Sequence, residues 1–248
     1  MSAAIDVLHP ERPKQILIVA SNPSVSDQTG WPIGFWWAEL THPYWEFVER
    51  GYEVTIASPD GGPLTPDGFS DPEDESGYSA HDLISLGFKK SPAHAALIED
   101  TKALADVDPD AFDAVFLVGG QGPMFTFRGN PAILDLVRAF YEAGRPTAIV
   151  CHATCVLLEA TKADGSLIVD GLSWTGFADS EERFADEFVG QKIQPFWIEE
   201  EARKLPDTNF LVQSRFKAHA VRDGNLITGQ QQYSGAAAAR LVIEALGV

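Results

Sequence analysis

Thr147-Ala148-Ile149-Val150-Cys151-His152-Ala153-Thr154-Cys155 is the stretch from which the fold can be read outward. Thr147 to Val150 form an apolar run that reads as a buried parallel strand. Cys151 follows at once, and small residues come next. This placement is what a nucleophile elbow requires: a tight strand-to-helix turn that exposes one side chain above a sheet. A helix start also favours a thiolate through its free N–H groups and dipole. The competing reading is a buried, inert cysteine beside an incidental histidine. Adjacent side chains at a helix start diverge, so contact between His152 and the thiol is not assured.

The same alternation recurs on either side. Gln15 to Ser21, QILIVAS, is a second buried strand, and YEVTIASP from Tyr52 is a third. Between them FWWAELTHPYWEFVERG reads as a helix, with Trp36, Leu40, Tyr44 and Phe47 at helical spacing and Gly51 ending it. Pro43 inside the pattern is expected to kink or offset it. FDAVFLVGGQGP is a strand closing in a glycine turn. NPAILDLVRAFYEAG is a helix with Asn130 at the N-cap, Pro131 at its first position and Gly144 beyond its end. Ala96 to Leu104 reads as helical. LIVDGLSWTGF and NFLVQSRFKAHAVRDGNLITGQ carry strand signals, and SGAAAARLVIEAL closes the chain as a helix.

Strands alternating with helices predict one α/β domain over 1–248, with a mostly parallel sheet covered on both faces. Residues 1–14 read as an N-terminal tail. Residues 60–95 are rich in Gly, Pro and acid, too long for an ordinary connection, and read as a functional loop or insertion near the active site. Ligands in such sheets bind at the carboxyl ends of the strands.

Composition narrows the function. The chain has 248 residues and 45% hydrophobic residues, enough for a sizeable core. Its 18 basic and 36 acidic residues give a formal net charge of -18, which argues against nucleic acid or an anionic membrane as partner. The opening MSAAIDVLHPERPK lacks a basic start and apolar core, so no signal peptide is expected, and no run suits a membrane span. Two cysteines four residues apart make neither a disulfide framework nor a zinc site. His42, His81, His94 and His219 lack metal-ligand spacing, and His9 lies in the tail. No metal and no cofactor are assigned, and a reduced, cytoplasmic protein is expected.

Two further features are expected at the strand ends. The turn Gly119-Gly120-Gln121-Gly122-Pro123 can bring backbone N–H groups to an oxyanion near Cys151. Glu39 lies in the aromatic GFWWAEL, where burial would raise its pKa and fit it for proton transfer near neutral pH. A solvated helix face is the competing reading for Glu39, as an ordinary turn is for the glycines.

Together these residues resemble the ThiJ/PfpI superfamily, related to class I glutamine amidotransferases. The matching stretches are TGWPIGFWWAELTHPYWEF, GYEVTIASPDGG, FDAVFLVGGQGPM, AIVCHATCVLLEA, LSWTGFADSEE and VRDGNLITGQQQYSGAAAA, spanning about Ile16 to Leu246. GFWWAELTHPY with TGFADSEE resembles the glutathione-independent glyoxalase branch, which includes heat-shock chaperone-like members. The resemblance implies a flavodoxin-like three-layer sandwich with helices on both faces of a mostly parallel sheet. It implies Cys151 as nucleophile, His152 beside it, Glu39 as acid/base and Glu182 as the acid orienting His152, with Asp179 and Glu181 as rivals. Backbone at Gly120 and Gln121, with that of His152, would form an oxyanion pocket, and Ala153 and Trp36 would adjoin the substrate. The branch carries histidine where this chain has Gln121, and glycine where it has Ala153. Gln121 can donate a hydrogen bond but cannot shuttle protons, and Trp36-Trp37 implies a bulkier apolar wall than a tiny dicarbonyl needs.

The implied function is a cofactor-independent glyoxalase III-like lyase converting methylglyoxal, a 2-oxoaldehyde, to D-lactate in dicarbonyl stress, with a homodimer as the usual assembly. A cysteine-dependent amidase or hydratase on another small electrophile is an alternative. So is a non-enzymatic stress chaperone or redox sensor, for which Cys151 would have to be accessible and of low pKa.

Overall fold

The computed structural model describes residues 12–247. Most of the expected tail, with His9, lies outside them. Eight strands form the main sheet: β1 (Gln15–Val19), β2 (Glu53–Ser58), β3 (Asp60–Gly62), β4 (Thr101–Ala103), β5 (Ala114–Leu117), β6 (Thr147–Val150), β7 (Ala220–Asp223) and β8 (Leu226–Gly229). Their spatial order is β7-β8-β6-β5-β1-β2-β4-β3. All neighbours from β8 to β4 are parallel, and the two edge pairings, β7 with β8 and β3 with β4, are antiparallel. Helices surround this large, mostly parallel sheet, as in a flavodoxin-like α/β fold.

The central strands are apolar because both their faces are covered. Ile16 to Val19, Ala114 to Leu117 and Thr147 to Val150 are all buried. The longer helices are α1 (Trp37–Glu49), α2 (Leu83–Lys90), α3 (Pro131–Glu142), α4 (Asp179–Val189) and α5 (Gly235–Ala245). Helix α3 starts as expected, with Asn130 accepting from the Ala132 N–H at 3.0 Å. Helix α1 runs through Pro43. Proline has no N–H to give the carbonyl four residues earlier, so the Glu39 carbonyl loses its helical partner.

Two expectations need correction, over Ala96 to Leu104 and after Cys151. Ala96 to Leu104 is not a helix. A short 3-10 turn at Ala96–Ile98 leads into β4, where the buried Thr101 hydroxyl meets the Ser58 hydroxyl at 2.8 Å and donates to the Gly62 carbonyl at 2.8 Å. Those cross-strand bonds outweigh an ambiguous local pattern. Residues 60–95 contain β3, a turn at Gly68–Ser70 and α2, which Asp82 caps by accepting from the Ser85 N–H at 3.1 Å, with loop between them. The helix after Cys151 is a 3-10 helix, Cys151–Leu158, buried through Leu157.

The chain enters at β1, fills one side through β2, β3 and β4, then crosses to β5 on the other side. The carboxyl ends of β1 and β5 therefore flank the reversal point where open α/β sheets bind ligands.

Candidate active site

The elbow is visible in the backbone. Cys151 has φ 56°, a left-handed conformation that is unfavourable for a residue with a Cβ. It holds the side chain above the end of β6, where the thiol lines a cavity. His152 turns back towards it, with Nδ1 3.5 Å from Cys151 Sγ. Its other ring nitrogen, Nε2, is 3.0 Å from Glu182 Oε1, and Phe177 stacks on the ring at 4.1 Å between centroids. Thus Cys151, His152 and Glu182 form a continuous chain. Divergence of neighbours on an α-helix does not apply to this tighter turn.

The rivals to Glu182 have other partners. Glu181 accepts from the N–H groups of Ala178 and Phe216 and from the Gln230 amide. The Asp179 N–H donates to Glu199 Oε2, and Asp179 makes no bond to His152.

Glu39 lies across the thiol and is wholly buried, so the solvated-face reading fails. Its carboxylate faces the Cys151 thiol and the Gly119 N–H, and neither oxygen has a hydrogen-bond partner of good geometry. Burial raises its pKa from 4.5 to about 7, against the opposing pull of Cys151 and His152. Gly119 makes this approach possible: a Cβ there would collide with Glu39 Oε2 and lie 2.7 Å from the Cys151 Cβ. Gly120 follows with φ 104°, a value open to glycine.

The expected low thiol pKa is not found. Burial pushes Cys151 well above the ordinary thiol value, and the Glu39 charge adds to the rise. The N–H groups of Gly120 and His152 act in the thiolate's favour but do not outweigh burial. Burial would lower the pKa of His152, yet Glu182, Glu39 and Asp67 together raise it, so the imidazolium is favoured. The resting arrangement is a protonated thiol between a carboxyl near its titration point and an imidazole whose cation the neighbouring carboxylates favour. This buried thiol, 2% exposed, lacks the low pKa and open access that the redox-sensor alternative requires.

The oxyanion pocket also needs correction. The Gln121 N–H donates to Asp67 Oδ2 at 2.6 Å and is not free, while Asp67 Oδ1 accepts from the Gly34 N–H at 2.9 Å. The donors facing the sulfur are Gly120 and His152. Asp67 is a site residue that the sequence reading missed. It is buried, and burial raises its pKa to about 7 despite those two N–H groups. Its TPDGF context reads as an ordinary turn, and only the fold brings it to the glycine loop.

Of the other expected residues, Trp36 and the Gln121 side chain line the cavity. Trp37 does not: it is buried against Phe35 and Phe88. Ala153 is in the core and is not among the residues that line this cavity. Cys155 is inert, its Sγ donating to the Pro123 carbonyl at 3.6 Å and its pKa pushed up by burial to about 12. Among the described residues no cluster of His, Cys, Asp or Glu could hold a metal ion, and no helix is long and apolar enough to cross a membrane.

The chain is similar to known proteins over nearly its whole length. The chain is 25% identical over 241 residues to glyoxalase 3 of Candida albicans, a match covering 94% of this chain and 98% of the relative. It is 26% identical over 262 residues to a probable glutathione-independent glyoxalase of Schizosaccharomyces pombe, covering 96% and 100%. The crystal structure of glyoxalase III from Candida albicans superposes with a TM-score of 0.76 at 22% identity, covering 94% of this chain and 97% of that one. The model of the DJ-1/PfpI family matches residues 34–245. On that match, and with the fold its members share, the chain belongs to the DJ-1/PfpI family.

Proposed function

We propose that the protein is a glutathione-independent glyoxalase that converts methylglyoxal and water to D-lactate with Cys151 as nucleophile. One observation carries the reading: a buried thiol lies between a hydrogen-bonded His152–Glu182 pair and the unpartnered carboxyl of Glu39, at the wall of a cavity. The names of the relatives above support the substrate class.

The steps follow from the protonation states. Near neutral pH Glu39 is partly ionised and takes the thiol proton as Sγ adds to the aldehyde carbon C1. The carbonyl electron pair moves to oxygen, towards the N–H groups of Gly120 and His152, and Glu39 returns its proton there. The hemithioacetal keeps its C1–H, which Glu39 then removes. The His152 imidazolium, held by Glu182, donates towards the C2 oxygen and an enediol forms. Glu39 returns its proton to C2 while the C1 hydroxyl proton passes back to His152, which restores the imidazolium and gives a thioester; water then cleaves the S–C1 bond, and D-lactate leaves with the thiol restored. C1 is oxidised and C2 reduced within one molecule, so no external oxidant enters.

A homodimer in the cytoplasm is part of the proposal, with sedimentation and fractionation as its checks. The direct test is D-lactate formation from methylglyoxal without glutathione. Absence of turnover in the wild-type protein, or full activity in Cys151→Ala, refutes the proposal.

A further inference from the structure

The cavity over Cys151 is larger and more aromatic than a methyl-substituted dicarbonyl requires. It provides about 90 Å³ for the centres of water-sized molecules. That is room for about six to nine waters at roughly 10–15 Å³ each, more than the methyl tail of a three-carbon dicarbonyl would fill. Its walls are a continuous series of ring contacts. Trp36 meets Tyr78 edge-on at 6.1 Å, and Tyr78 meets Phe69 at 6.2 Å. Phe69 meets Phe188 at 6.2 Å, Phe188 stacks on Phe184 at 6.3 Å, and Phe184 meets Phe216 at 5.3 Å.

This collar is assembled from four separate segments: the approach to α1, the 60–95 excursion, α4, and the loop before β7. Such convergence has no explanation in local packing. Phe216 adds a second observation. It is held at φ 54°, an unfavourable conformation for a phenylalanine, with its N–H donated to the buried Glu181 at 2.9 Å. A carboxylate next in sequence to the one that orients His152 therefore fixes a ring of the wall. No lysine or arginine lines the cavity among the described residues. The one cationic group in the lining, His152, is held between Cys151 and Glu182, so the aromatic part of the cavity offers an anionic tail no charged partner.

We infer that the collar selects a neutral 2-oxoaldehyde bearing an aryl substituent over one bearing a methyl group. The inference rests on the glyoxalase reading above. The dicarbonyl end reaches Cys151 and the N–H groups of Gly120 and His152, while the aryl ring is held edge-on and stacked by the collar. The reaction is unchanged: the aldehyde carbon becomes a carboxylate, the ketone carbon becomes a carbinol, one water is consumed and one proton is released. An aryl 2-oxoaldehyde thus yields an aryl 2-hydroxy acid.

The test compares kcat/KM for phenylglyoxal and methylglyoxal without glutathione, read as mandelate and lactate. A preference for phenylglyoxal of about tenfold or more is expected. In Phe184→Leu and Phe69→Leu, which keep apolar volume but lose the ring, this ratio should fall by roughly fivefold to tenfold. That fall separates pocket recognition from any inherent difference in aldehyde reactivity. Equal or better use of methylglyoxal, or a ratio unchanged in both variants, overturns the inference and leaves the glyoxalase reading standing. Hydroxy acid from neither substrate overturns both.

Discussion

Replacing Glu39 by glutamine should stabilise this protein at alkaline pH and have much less effect at acidic pH. Glu39 is wholly buried, and burial raises its pKa from the ordinary 4.5 to about 7. Between those values the unfolded chain has released a proton that the folded chain still holds, so stability falls as pH rises. Above about 7 both states are ionised and the loss is complete. Each pKa unit is worth about 1.4 kcal/mol, giving a full penalty of about 3 kcal/mol, of which roughly 1 kcal/mol is present at about pH 5. Glutamine cannot ionise and escapes the penalty. The stability difference between Glu39→Gln and wild type should therefore move in the variant's favour by about 2–3 kcal/mol from about pH 5 to about pH 8. For a chain of this size that is roughly 5–10 °C by differential scanning calorimetry. Comparing two pH values cancels any fixed packing change, such as the orientation of the new amide. An offset that is the same at both values, or that moves the other way, refutes the placement of Glu39 as a carboxyl ionising in a dry site. The same variant should lose turnover, because the ionised form that costs stability is the base that takes the thiol proton.

Cys151→Ala should lower D-lactate formation from methylglyoxal by at least about a thousandfold, whereas Cys155→Ser should keep turnover within about tenfold, since its thiol only donates to the Pro123 carbonyl. Wild-type kcat/KM should rise with pH through about 7 as Glu39 ionises, and fall again once the raised pKa of His152 is passed. Glu182→Gln removes the charge that raises His152, so its alkaline limb should move to lower pH and kcat should drop by about two orders of magnitude; a pH profile of unchanged shape counts against the pairing. Gly119→Ala drives a methyl group onto Glu39 and Cys151 and should destabilise the fold by about 1–3 kcal/mol, read as a lower Tm, with turnover lost.

How the resting site is poised follows from burial more than from helix geometry. Three buried carboxyls, Glu39, Asp67 and Glu182, surround one thiol and one imidazole, and burial raises the pKa of each carboxyl. Burial, with the Glu39 charge second, keeps the thiol protonated, while the pull of Glu182, Glu39 and Asp67 raises the pKa of His152. In the mechanism proposed above the nucleophile is therefore generated on attack by proton transfer to Glu39, not stored as a free thiolate.

The sequence by itself determined the sheet and the elbow. Runs such as Ile16–Val19 and Thr147–Val150 have only one stable use, as strands covered on both faces, and a cysteine placed directly after one is held at the sheet's edge by chain geometry. The separation of Cys151 from Cys155 was legible for the same local reason, whereas Glu39 was marked out by the family resemblance, since its spacing alone favoured a solvated helix face. The tertiary structure alone decided which acid meets His152, because Asp179, Glu181 and Glu182 share one helical turn and differ only in the direction each faces. It also decided that Asp67 holds the Gln121 N–H, that Ala153 lies in the core, and that rings far apart in sequence form one collar. These are contacts between segments as distant as Asp67 and Gln121. Local pattern carries no record of them, since periodicity reports which face of an element is buried and not what it is buried against.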